Sequence, residues 1–111
     1  MKKLTFLCVG LLLLSASAFA DDHHADVALE HATAAVIYGK NGHTSILLEH
    51  AKTALEHVLA ASITAKGVSK NHLDVAATEL QEAIIQSESG HIGTATKHAQ
   101  AALREIKASN K

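Results

Sequence analysis

The sequence predicts an all-α protein: an up-down-up-down four-helix bundle made of two repeated helical hairpins. Three observations predict it. Apolar residues recur at spacings of three and four, no proline occurs in the 111 residues, and the chain matches itself at an offset of 48 residues. At that offset His24-x-Asp26-Val27-Ala28 aligns with His72-x-Asp74-Val75-Ala76, Gly42-His43 with Gly90-His91, and His50-Ala51 with His98-Ala99. Between residues 24 and 60 there are 13 identities in 37 positions without a gap.

The elements follow in order. Met1-Lys2-Lys3, the apolar run Leu4–Leu14 and the small residues ending at Ala20 have the form of an export signal, cut after Ala20. The run is short of the ~20 apolar residues that a membrane span needs, so no membrane association is expected once it is removed. The two-lysine start points to bacterial export and a periplasmic location. Residues 21–111 are then one small domain with repeat units at about 22–64 and 71–109. Helix 1 is expected over Asp22–Tyr38 with Gly39 as its C-terminal cap, and helix 2 over His43–Thr64 after the turn Gly39-Lys40-Asn41-Gly42. Lys66-Gly67-Val68-Ser69-Lys70 reads as a linker, with Asn71 the N-cap of helix 3 over His72–Glu88. Helix 4 is expected over His91–Ser109.

Composition excludes several function classes. The loss of Lys2 and Lys3 reduces 10 basic residues to 8 against 11 acidic ones, net −3, which does not suit nucleic acid. Cys8 leaves with the same segment, so no disulfide or thiolate ligand is available. No Cys-x-x-Cys-His, His-Glu-x-x-His, phosphate loop or nucleophile motif is present, and no two helices carry the Glu-x-x-His pairs of di-iron bundles. The chain is therefore not expected to be an enzyme.

Nine histidines, all after Ala20, call for an explanation. They follow a heptad rule: His24, His31 and Tyr38 on helix 1; His43, His50 and His57 on helix 2. The repeat gives His72, Glu79 and Gln86, then His91, His98 and Glu105. Residues seven apart share one side of a helix, about 10.5 Å apart along its axis. On helix 2 the apolar stripe is centred near Leu47, Ala51, Leu55 and Val58, and the histidine row lies roughly 90–130° to one side. Symmetry about the turns pairs His24 with His57, His31 with His50 and Tyr38 with His43. In the second hairpin it pairs His72 with Glu105, Glu79 with His98 and Gln86 with His91. The alternative is that the rows face the other neighbour, so that helix 1 meets helix 4.

Imidazole suits Cu(II), Ni(II) and Zn(II), and carboxylate can complete such a site. No His-x3-His pair lies within a helix, so ligands must come from two helices. The expected ligands are His23, His24, His31, His43, His50, His57, His72, His91 and His98 with Glu79 and Glu105, and Cu(II) is the first expectation among the metals. A cut after Ala20 would also expose Asp21-Asp22-His23, whose amine, amides and imidazole can wrap Cu(II) or Ni(II) in a square plane. The competing reading is a periplasmic stress chaperone or a pH-responsive helper, since imidazole titrates near neutrality. A thin alanine-rich bundle is compatible with a monomer or a weak homodimer.

Gly42-His43-Thr44, Leu48-Glu49-His50-Ala51-Lys52 and Thr96-Lys97-His98-Ala99-Gln100 resemble the periplasmic small metal-binding protein family. The resemblance covers nearly all of residues 21–111. It implies a histidine-rich four-helix bundle that buffers or sequesters divalent metals, copper among them. The positions in matching contexts are His31, His43, His50, His57, His91 and His98. Glu79, Gln86 and Glu105 stand where the family tends to carry more histidine.

Overall fold

The computed structural model describes residues 20–110, with side chains from His23 onward. Of the expected export segment, residues 1–20, positions 1–19 with Cys8 lie outside the described residues. Four helices follow: α1 Ala20–Lys40, α2 Thr44–Thr64, α3 Gly67–Glu88 and α4 Ile92–Ser109. α1 packs against α2 and α4, and α3 against the same two. Across the diagonals there is only marginal contact, between α2 and α4. Short connections between antiparallel neighbours make this a four-helix bundle.

The core is built from small residues. Ala28, Ala32, Ala35, Ala51, Ala54 and Ala61 are buried in the first hairpin, and alanines likewise dominate α3 and α4. Among the described residues only Leu47, Leu80, Ile106 and Val58 are large and fully enclosed. Such a core draws the backbones together, and Gly39 shows how closely. A Cβ added there would collide with Thr96 Oγ1 and lie 2.6 Å from Leu47 Cδ1.

Gly39 is therefore not the cap of the first helix; it is buried inside α1. The cap is Gly42, at φ +81°, with Gly90 at φ +83° in the second hairpin. In each turn the glycine takes the left-handed conformation that other residues resist. The His43 amide then donates to the Tyr38 carbonyl at 2.9 Å and the Gly42 amide to the Gly39 carbonyl at 3.1 Å. His91 to Gln86 at 2.8 Å and Gly90 to Ser87 at 3.1 Å repeat the pattern. These paired bonds are a Schellman motif.

Two further features differ from expectation. α3 starts at Gly67, so the linker shrinks to Ala65-Lys66 and Asn71 sits inside the helix rather than capping it. The apolar stripe of α2 is centred on Leu47, Ala51, Ala54 and Val58, with Leu55 only partly buried. That moves the core centre to about 70° from the histidine row at 100° per residue. The row lies closer to the core than the sequence pattern indicated, because Ala54 is buried where the bulkier Leu55 was expected.

Candidate metal centre

Read in heptads, the buried residues of every helix fill positions a and d, with one more at e (Val36, Ser62, Ala77 and Thr96), and each row residue falls at g. In an antiparallel pair g faces g, so each hairpin brings its own two rows together. The structure thereby settles the pairing: rows meet within hairpins, not between α1 and α4. The position four residues after each row histidine is buried, for example Ala28, Ala35, Ala54 and Ala61 in the first hairpin. Packing of that neighbour fixes the backbone from which the imidazole projects.

Six pairs, here called rungs, result. In the first hairpin His24 Nδ1 lies 2.8 Å from His57 Nδ1, and His31 Nδ1 lies 2.9 Å from His50 Nδ1. At each, one Nδ1–H donates and the other nitrogen accepts, so one imidazole of the rung is the Nδ1–H tautomer. The third rung is a ring contact: Tyr38 and His43 meet edge-on with centroids 6.0 Å apart. Tyr38 also stacks on His50, centroids 5.7 Å apart and planes 7° from parallel. The sequence pairing assigned Tyr38 to His43 alone. Its diagonal neighbour across the rungs was the available signal.

The second hairpin has the same frame and different chemistry. His72 Nδ1 donates to Glu105 Oε1 and His98 Nδ1 to Glu79 Oε1, both at 2.7 Å. His91 Nδ1 donates to Gln86 Oε1 at 3.1 Å. The two carboxylate rungs are about a third exposed, with side chains 28–35% accessible. Each is worth on the order of 1 kcal/mol or less to stability at that exposure. With Nδ1 held by the acceptor, the free lone pair of a neutral imidazole sits on Nε2. A carboxylate behind an imidazole in this way fixes its tautomer and raises its basicity as a ligand.

His43 and His91 are also the N-cap residues of α2 and α4, yet neither side chain makes a capping hydrogen bond. Each imidazole turns back to its rung partner instead. His23 belongs to no rung; it is exposed, its ring 6.3 Å from that of His24. The only Glu-x-x-His of the sequence, Glu88 to His91, runs through the turn between α3 and α4 and so does not present both groups from one helix. His57 has its pKa lowered from 6.5, first by burial and then by the neighbouring charges of His24 and His31, with Glu56 acting weakly the other way. A lowered value keeps that nitrogen free of a competing proton near neutrality.

Among the described residues no group of three or more His, Cys, Asp and Glu side chains is gathered at one point. The rungs thus offer paired donors, not closed cages. No helix among the described residues is long and apolar enough to cross a membrane.

The sequence model of a family described as small metal-binding protein matches residues 1–109, and the chain belongs to that family. No curated protein matches the chain significantly.

Proposed function

We propose that this member of the small metal-binding protein family buffers or sequesters divalent transition metals through its rungs, with Cu(II) preferred and Ni(II) and Zn(II) also accepted. The observation that carries the reading is the separation of the paired Nδ1 atoms in the first hairpin, 2.8 and 2.9 Å. Metal–imidazole bonds are about 2.0–2.1 Å long. Two such bonds at a right angle hold their nitrogens about 2.9 Å apart, whereas a tetrahedral angle needs about 3.4 Å. The rungs already have the bite of a square-planar edge, which suits Cu(II) and Ni(II). Entry of the metal requires the bridging proton to move from Nδ1 to Nε2 of the same ring, which frees both Nδ1 lone pairs. Protons compete with the metal for the imidazole nitrogens, so binding weakens as pH falls.

On this reading the ligands of the first hairpin are His24, His57, His31 and His50, with His43 beside Tyr38 at the turn. The second hairpin, with His72, His98 and His91 backed by Glu105, Glu79 and Gln86, supplies mixed nitrogen and oxygen donors and is the weaker half. Periplasmic residence is part of the proposal, supported by the basic start, short apolar run and small residues ending at Ala20. Cleavage there would make Asp21-Asp22-His23 a separate site. The first-turn amides it uses have no intrahelical acceptor, though that turn has to unwind to chelate in a plane.

The test is a calorimetric titration with Cu(II), Ni(II) and Zn(II) at about pH 7.5 and 5.5. Binding at the higher pH that weakens at the lower supports imidazole ligation. Heat indistinguishable from buffer at both would overturn the proposal and favour the chaperone or pH-responsive alternative. Amino-terminal sequencing of the exported protein tests the cut after Ala20.

A further inference from the structure

The rungs are half-sites. Each offers two nitrogens, no third ligand is gathered near them among the described residues, and the next rung lies about 10.5 Å along the helix. One ion therefore cannot be shared between rungs of the same chain. Cu(II) takes four donors in its plane.

We propose that a second copy of this chain completes the site: two chains meet flank to flank through α1 and α2 about a twofold axis through the middle rung. His31 and His50 of both copies then supply four imidazole nitrogens to one cation. This rests on the reading of the rungs as metal ligands given above. A twofold axis is the natural operator, because a self-complementary patch needs only to meet itself. The middle rung is the one that such an axis superimposes on its own copy. The outer rung, His24 with His57, then lies over the partner's turn and its His43.

The surface of the flank fits a copy of itself. Three residues after each rung histidine of this hairpin, and so beside it on the outward side, stand Val27, Ala34, Ile46, Thr53 and Ala60. All five are small or moderate in size and half-buried. Neither they nor the rung residues of this hairpin carry a formal charge when the histidines are neutral. Apart from Tyr38, which lies flat against His50, the uncharged side chains of the flank are small enough for two hairpins to approach until the rungs share an ion. The acidic border differs: Glu30, Glu49 and Glu56 are exposed, each directly before a rung histidine. Two such borders repel each other, so the metal-free chains stay apart and the added positive charge draws them together.

The opposite flank does not fit. Glu79 and Glu105 stand in its rungs, and Glu82 follows Glu79 by three residues, so a copy of that flank would set carboxylate against carboxylate. The association is thereby confined to α1 and α2.

The purified protein carrying His23→Ala, in which the amino-terminal site cannot form, serves as the parent, and its sedimentation velocity and electron paramagnetic resonance with and without Cu(II) test the proposal. Half an equivalent of Cu(II) is expected to double the sedimenting mass and to give a copper signal with four nitrogen ligands. Ala34→Arg keeps every ligand but places a charge on the flank. It is expected to bind Cu(II) as a monomer with two nitrogens, and Thr53→Arg serves the same purpose if the first variant misfolds. His98→Ala is expected to dimerise as the parent does. A parent chain that holds Cu(II) at monomer mass, or an Ala34→Arg or Thr53→Arg variant that folds and still dimerises like the parent, overturns the shared site and leaves the metal-binding reading standing. A chain that binds no Cu(II) ends both.

Discussion

His31 on α1 and His50 on α2 face each other with their Nδ1 atoms 2.9 Å apart, and Tyr38 lies parallel over the His50 ring. The relationship joins three residues from two helices, and none of them makes a ligand pair with a histidine of its own helix. It depends on the g-to-g register of an antiparallel pair and on the turn that sets that register.

Removing one half of that rung should therefore remove the site. His31→Ala is expected to weaken Cu(II) binding to the first hairpin by about tenfold or more, with the folded metal-free protein retained. A calorimetric titration compared with His23→Ala, a change outside the rungs, checks this.

The carboxylates of the second hairpin should act on their histidines rather than on the fold. Glu79→Gln keeps an oxygen acceptor for His98 and removes the charge, turning this rung into a copy of Gln86–His91. Stability should change by no more than about 1 kcal/mol, while metal affinity at His98 should fall about 10- to 100-fold. Urea unfolding and the imidazole resonance of His98 during a Zn(II) titration read the two effects separately.

Gly39 is the point where a small change should cost most. Alanine would gain up to about 1 kcal/mol of helix propensity, but its Cβ would meet Leu47 and Thr96. Overpacking of this kind costs about 1–3 kcal/mol, so Gly39→Ala is expected to lower the urea midpoint. A midpoint at or above that of the parent would contradict the close approach described for α1.

The metal-free protein should lose stability toward acid through His57. Its pKa in the folded chain lies below the ordinary imidazole value of 6.5 because of burial and then the charges of His24 and His31. The unfolded chain thus takes up the proton first as pH falls. The contribution is full above about pH 6.5, is lost as pH falls toward the lowered value, and levels off below it. His57→Gln should flatten that part of the profile, measured as thermal midpoint against pH without metal.

Much of this was legible in the sequence because both signals were periodic. The 48-residue repeat and the heptad rows placed four helices, two hairpins and all six rungs, since symmetry about a short turn fixes antiparallel register. What was not legible depended on the third dimension. Gly39 next to a turn looks like a cap, and only the packing of α1 on Leu47 and Thr96 shows that it is needed inside the helix while Gly42 makes the turn. The early start of α3 was hidden because Gly67 and Ser69 read as linker residues, although Ser69 Oγ donates to the Ser109 carbonyl at 2.7 Å and ties that first turn to the end of α4. The stacking of Tyr38 on His50 is a diagonal contact that the rung count did not include.

The central claim is that facing imidazoles of the first hairpin take the metal. The most direct measurement is a nuclear magnetic resonance titration of protein labelled with ¹⁵N at histidine, using Zn(II) as a diamagnetic probe at about pH 7.5. The ring nitrogens of His31, His50, His24 and His57 are expected to shift together at the lowest metal ratios, with His72 and His98 following. Shifts confined to His23 or spread evenly over all nine histidines, with the four facing rings no earlier than the rest, would contradict it.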